Sequence, residues 1–138
     1  MKMLSKKTRY AIVALVRLAK NYNNGSMPIS QIAEEEKIPQ RFLEGILLEL
    51  KNLGILDSMR GKTGGYYLVK SPSEVSLADV ITIFEGSVGM LACVCCNTYK
   101  PCEFEKDENT CKIRQVFKYV HESSKAILKS ASLRDLIC

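Results

Sequence analysis

The chain has 138 residues, 46% of them hydrophobic, enough for one domain or for one domain with an appended helix. Its longest apolar run near the N-terminus, Ala11 to Val16, stops at Arg17, and no small-residue cleavage site follows. Neither a membrane span nor a secretory signal is expected, so the expected location is the cytoplasm. The formal net charge of +5 is unevenly placed: residues 1–70 carry 12 Lys/Arg against 6 Asp/Glu, and residues 71–138 carry 8 against 9. The first half is therefore the one suited to a polyanion, although charge alone fits a solvated basic surface better.

Ser5 is placed to cap a helix running to about Tyr22, with Ile12, Leu15 and Leu18 at helical spacing beside Ala11 and Ala19. Asn23-Asn24-Gly25-Ser26 and Pro28 form a turn. Ser30 is expected to cap a short helix from Gln31 to about Lys37, with Ile32 and Ala33 inward. Pro39 opens a third helix whose stripe is Phe42, Ile46, Leu50 and Leu53, widened by Leu43 and Leu47, and Gly54 is its stop. Two β-prone runs, Ile55 to Met59 and Tyr66 to Val69, flank the tip Arg60-Gly61-Lys62-Thr63-Gly64-Gly65 and read as a hairpin closed by Pro72. Ser76 and Asp79 have the spacing of a helix cap, Leu77, Val80, Ile81 and Phe84 give that helix a buried face, and Gly86 ends it. A cysteine-rich segment follows, then a long amphipathic pattern from Ile113 to about Lys129 and a last turn starting at Ser132. The fold class is mainly α with one small β-hairpin.

A short helix, a tight turn and a second helix are what reading duplex DNA requires, since the second helix lays its N-terminal residues in the major groove. Here those residues are Gln40, Arg41, Phe42 and Glu44. Arg suits guanine, Gln suits adenine and Glu can accept from cytosine. Phe42 fits the core stripe, so packing is its expected role, with contact to a thymine methyl the lesser alternative. At the hairpin tip, Arg60 and Lys62 sit on a backbone that Gly64 and Gly65 let approach a phosphate or a narrow minor groove. Lys6, Lys7 and Arg9 are further candidates for phosphate contact, each equally readable as an ordinary solvated cation.

Five of the six cysteines, Cys93, Cys95, Cys96, Cys102 and Cys111, fall within nineteen positions. In a reducing compartment such a cluster points to metal or redox chemistry rather than structural disulfides. Four thiolates suit an iron–sulfur cluster and suit tetrahedral zinc as well, while adjacent thiols can also oxidise reversibly without metal. Lys100, Lys112 and Arg114 add positive charge nearby, which favours each of these readings. His121, the single histidine, is expected at a surface or interface rather than as a ligand. No Ser/His/Asp set and no phosphate-binding glycine loop is present, so enzymatic activity is not expected. A small iron–sulfur or thiol redox carrier is the competing class, but it leaves the wing and the Gln40–Glu44 segment without a purpose.

Several segments together carry a family resemblance. They are Leu4 to Ala11, Ile29-Ser30-Gln31-Ile32-Ala33, Phe42-Leu43-Glu44, Arg60 to Tyr66, and Ser76-Leu77-Ala78-Asp79-Val80. They resemble the bacterial winged helix-turn-helix regulators typified by the iron–sulfur cluster regulator IscR, a group that includes NsrR, RirA and CymR. The resemblance covers nearly the whole chain, and the wing, with Tyr66 in its motif, is its most specific part. It implies a winged helix-turn-helix DNA-binding domain over residues 1–72, and a helix, sensor loop and dimerisation helix over 73–138. It further implies a homodimer on double-stranded promoter DNA, with repression as the usual output and iron–sulfur status, redox state or nitric oxide as the signal. By register from Glu85-Gly86, the implied cluster ligands are Cys93, Cys102 and Cys111. The type, 2Fe-2S or 4Fe-4S, is left open. The chain departs from the family pattern in two ways: eight residues separate Cys102 from Cys111, and Arg114 and Arg9 stand where relatives place a non-cysteine ligand. Cys95 or Cys96 would then supply the fourth thiolate.

Overall fold

The computed structural model describes residues 4–62, 64–86, 94, 99–101, 104 and 107–137. Helix α1, Lys6–Lys20, starts where Ser5 Oγ accepts the Thr8 N–H at 3.2 Å. Its inner face is Thr8, Ala11, Ala14, Leu15, Leu18 and Ala19. Three alanines on that face let neighbouring helices come close, and α1 packs against every other helix of the helix-turn-helix half.

Helix α2, Ile29–Glu36, begins before Ser30 rather than after it. Pro28 occupies the capping position and no side chain caps the helix, so the expected Ser30 cap is corrected. The reason lies just upstream, where Met27 and Tyr66 exchange two backbone hydrogen bonds of 2.8 Å. That pairing fixes the chain direction at Pro28, and the helix starts directly after it. The Arg17 Nε donates to Glu35 at 2.6 Å and ties α1 to α2. This bond, helped by Gln31, holds the Glu35 carboxyl below the usual carboxylate range.

Lys37 takes a left-handed conformation (φ 55°, ψ 44°), and the buried Ile38 pins the turn before α3, Gln40–Asn52. The inner stripe of α3 is Leu43, Ile46, Leu47 and Leu50, all fully buried. Phe42 and Leu53, expected in that stripe, are 62% and 52% exposed. The buried stripe thus keeps four of the six expected positions and loses its edge on the Phe42 and Leu53 side.

Strands β1, Leu56–Met59, and β2, Gly65–Leu68, pair antiparallel in the register Leu56↔Leu68 to Met59↔Gly65. Residue Met27 adds a one-residue bridge on the far side of β2. This bridge explains Gly65: a Cβ there would overlap the Met27 carbonyl. A Cβ on Gly64 would come within 2.5 Å of the Met59 carbonyl oxygen. Both glycines are therefore required by the protein's own backbone.

After a 3-10 turn at Pro72–Glu74 comes α4, Leu77–Glu85. Its capping box is complete, with Asp79 N–H donating to Ser76 Oγ at 3.2 Å and Ser76 N–H donating to Asp79 Oδ2 at 3.1 Å. Val80 and Ile81 are buried, while Leu77 and Phe84 are half-buried. Gly86 ends the helix at φ 79°. Helix α5, Lys112–Ser130, packs on α4, and the short α6, Leu133–Leu136, returns to the core through the fully buried Leu133. Val75, Val80 and Leu133 belong to the same buried cluster as the inner faces of α1 and α3, so that cluster does not stop at residue 72. Among the described residues, no helix is long and apolar enough to cross a membrane.

The end of α4 grips the start of α1. Glu85 Oε1 accepts from the Ser5 backbone N–H at 2.8 Å and from the fully buried Thr8 hydroxyl at 2.5 Å. A carboxylate at the positive end of a helix also interacts favourably with the helix dipole. Glu85→Ala is expected to lower the unfolding free energy by about 1–3 kcal/mol in urea titration, since Thr8 loses a charged acceptor. Gly65→Ala is expected to cost about 2–3 kcal/mol by the same assay, because Met27 and β2 must separate to admit a methyl group.

Candidate nucleic-acid interface and cysteine segment

On the solvent side of α3 lie Gln40, Arg41, Glu44, Gly45 and Leu48, with Phe42 at its edge. The buried stripe behind them leaves these side chains no role in the core. Phe42 leans on Tyr10 of α1, with ring centroids 6.5 Å apart and planes at 49°. The structure therefore replaces the packing role expected for Phe42 with an exposed position beside the start of the reading helix. As in α2, no side chain caps the N-terminus of α3, which follows Pro39.

The hairpin stands next to α3. In its last turn, Lys51 Nζ donates to Ser58 Oγ of β1 at 2.7 Å. Arg60 and Lys62 are exposed at the tip, where Gly61 (φ 109°) and the Gly64 N–H to Gly61 carbonyl bond of 3.0 Å make the turn. Gly64 and Gly65 serve this turn and the Met27 pairing, and they are half-buried. Tyr66 is half-buried too, packing on the core cluster. Among the α1 cations, Lys6 and Arg9 are exposed. Lys7 is exposed as well, with its Nζ 3.0 Å from Glu49 of α3 and 5.4 Å from the centre of the Phe84 ring.

Three contributors were not singled out from the sequence. Gly45 sits inside α3, where a glycine weakens a helix by about 1 kcal/mol relative to alanine. Its built Cβ would meet nothing within 4 Å and its φ is ordinary, so neither packing nor conformation calls for glycine. The sequence signal was a glycine inside an otherwise helical pattern. Leu48 and Glu49 lie outside the apolar stripe of α3, and nothing in their local sequence marks them for a role.

In the cysteine segment, Cys111 stands at the N-cap of α5, half-buried and free of any disulfide. The turn before it is ordered by Asp107, whose carbonyl accepts the Cys111 N–H at 2.9 Å and whose carboxylate accepts the Asn109 N–H at 2.9 Å. Tyr99 donates to Glu108 at 2.6 Å, and Glu108 lies 4.0 Å from Arg114. Val94 is buried. Cys93, Cys95, Cys96 and Cys102 lie outside the described residues, and among the described residues no group of three or more possible metal ligands assembles. Cys111, half-buried and with no side-chain bond to the helix start, fits a thiolate ligand in chemistry. His121 lies ten residues further along α5, about 15 Å of helix rise, too far to share a site with Cys111.

Helix α5 has two dissimilar faces. Arg114, Phe117, His121, Ser124 and Leu128 are half-buried. Ile113, Val116, Val120 and Ile127 form a second, exposed stripe, with 61% of Val116 and 67% of Ile127 accessible. None of the α5 residues is buried.

Comparison with known proteins places this architecture. Residues 4–138 match the Rrf2 family model, described as iron-dependent transcriptional regulator. An rrf2-like helix-turn-helix-type regulator of Rhodobacter capsulatus is 37% identical over 138 residues, covering 98% of this chain and 92% of the relative. The solved structure of CymR, described as the global cysteine regulator of Bacillus subtilis, superposes with a TM-score of 0.83 at 26% identity, covering 99% of this chain and 97% of that one. IscR of Klebsiella pneumoniae is 34% identical over 90 residues, 65% of this chain and 55% of that protein. With the family model matched over residues 4–138 and the fold superposing on CymR, the chain belongs to the Rrf2 family of winged-helix, DNA-binding transcriptional regulators.

Proposed function

We propose that this regulator binds a palindromic operator as a homodimer and changes its affinity when its cysteine segment changes state. The observation that carries the reading is the exposed, uncapped start of α3 with Gln40, Arg41 and Glu44 outward, beside a hairpin tip with Arg60 and Lys62 exposed. An uncapped helix start favours a phosphate oxygen, which fixes register, while the side chains beyond it reach base edges. The wing cations follow the neighbouring backbone or minor groove. Lys6 and Arg9 supply further phosphate contacts. Lys7 would have to exchange its exposed Glu49 pairing for a phosphate, which makes it the weakest contributor of the three.

Dimerisation would cover the apolar α5 stripe of Ile113, Val116, Val120 and Ile127. Large apolar patches on a lone protomer mark interaction surfaces, and a helix stripe matched by its own copy suits a twofold pair. The α5 axis would then set the separation of two reading helices, which must match the spacing of the operator half-sites.

For the signal, an iron–sulfur cluster held by Cys93, Cys102 and Cys111, with Cys95 or Cys96 as fourth ligand, is the first reading. When bound, such a cluster supplies a redox-active and gas-sensitive centre. The chain's own part is to hold Cys111 at the start of α5, so that ordering of the segment bears on the dimer helix. Glu85, bonded to Ser5 and Thr8, gives the same segment a second hold on α1 at its other end. A metal-free thiol switch is the second reading. It is favoured by the match to CymR along nearly the whole of both chains, and one of the similar solved structures is described as an oxidized form of CymR from Staphylococcus aureus.

On a selected operator, Arg60→Ala should weaken binding across all sequences and reduce the salt slope by about one. Gln40→Ala and Arg41→Ala should instead relax base preference by roughly 1–3 kcal/mol, read by competition gel shift. Normal binding and selectivity of both α3 variants would mean that another element reads the bases. Anaerobic purification should yield a coloured protein with iron and sulfide, and Ser at Cys93, Cys102 or Cys111 should each bleach it. A colourless protein carrying stoichiometric zinc, or no metal, would remove the cluster.

A further inference from the structure

The reading face of α3 is less polar than its first residues indicate. Phe42, Gly45 and Leu48 follow one another every three positions along the solvent side, with Phe42 62% and Leu48 52% exposed. A single exposed apolar side chain is ordinary, but recurrence at i, i+3 and i+6 brings these positions into one continuous strip. Phe42 is not loose: Tyr10 of α1 backs its ring. Gly45, in the middle of the strip, has open space where its Cβ would be and no unusual backbone angle. Nothing inside the protomer gains from a glycine there, whereas an approaching surface outside it would.

We propose that Gly45 marks the point of closest approach between α3 and the floor of the major groove, and that Phe42 and Leu48 on either side of it read thymine methyl groups. This rests on the DNA-binding reading above and adds the base class. In the major groove, the thymine C5-methyl is the apolar feature among the base edges, and apolar side chains are its partners. Gln40, Arg41 and Glu44 then read hydrogen-bonding edges while the strip reads methyls. The operator half-site is accordingly expected to carry thymine on both sides of the position facing Gly45.

The test begins with an operator selected by the wild-type protein from random duplex DNA. Gly45→Ala should leave the melting temperature equal or higher, because alanine favours the helix. The same variant should lose about tenfold or more in selective affinity while its binding to non-specific duplex stays unchanged. Replacing operator thymines by uracil, one at a time, should weaken wild-type binding about threefold to tenfold at the strip positions, and Phe42→Ala should abolish that sensitivity at one of them. Unaltered selective affinity in Gly45→Ala, or indifference of the wild type to every uracil, would overturn the proposal while leaving the regulator reading intact. Failure of the wild type to select any sequence would defeat the DNA-binding reading itself, and this inference with it.

Discussion

The burial of one face of α1 is the contact on which the rest of the structure depends. Ala11, Ala14, Leu15, Leu18 and Ala19 are all within a few per cent of complete burial, and each neighbouring element reaches the core through them. Small side chains at three of these positions bring α3 and α4 close, and close approach is what turns scattered dispersion contacts into a rigid unit. Lys7 adds a polar contact from the same helix to α3 through Glu49, and Tyr10 adds an aromatic one through Phe42. The orientation of α3 is thus set by α1 on one side and by β1, through Lys51 and Ser58, on the other.

That arrangement also offers the proposed switch a short path between the cysteine segment and the DNA-reading part of the chain. Helix α4 ends at Glu85 and Gly86, and Cys111 stands at the start of α5. Glu85 holds the first turn of α1, and Cys111 opens α5. Under the proposed switch, a change of state in the intervening segment would bear on two helices, α1, which braces the reading helix, and α5, which carries an exposed apolar stripe. A coupling of a few kcal/mol between two such states is enough to change operator occupancy about a hundredfold.

Much of this was legible in the residues. Ser5, the Ser76–Asp79 box, Gly54 and Gly86 mark helix ends through local chemistry that does not depend on distant packing, and they fall where expected. The hairpin was legible for the same reason. Two features were not. Apolar residues stand at 42, 43, 46, 47, 50 and 53, so a 3.6-residue period gives α3 a stripe wider than its buried face, and tertiary packing decides that the Phe42 and Leu53 edge stays exposed. Ser30 had the right chemistry for a cap, but the Met27–Tyr66 pairing, between residues thirty-nine apart, started α2 earlier. Gly64 and Gly65 were legible as important, and the structure adds a cause the local sequence does not show, the close approach of the protein's own backbone. In the candidate interface, the outward placement of Gln40, Arg41 and Glu44 agrees with the expectation from sequence, whereas the ligand set of the cysteine segment rests on resemblance and on Cys111 alone.

The account as a whole requires α3 and the wing to act as one rigid body on two adjacent grooves. Methylation interference on the selected operator measures this directly, because it reports guanine N7 in the major groove and adenine N3 in the minor groove separately. The expected pattern is two major-groove tracts about one helical turn, or a multiple of it, apart, each flanked by minor-groove or backbone interference on the wing side. Interference confined to one groove, or a single tract without twofold symmetry, would contradict it.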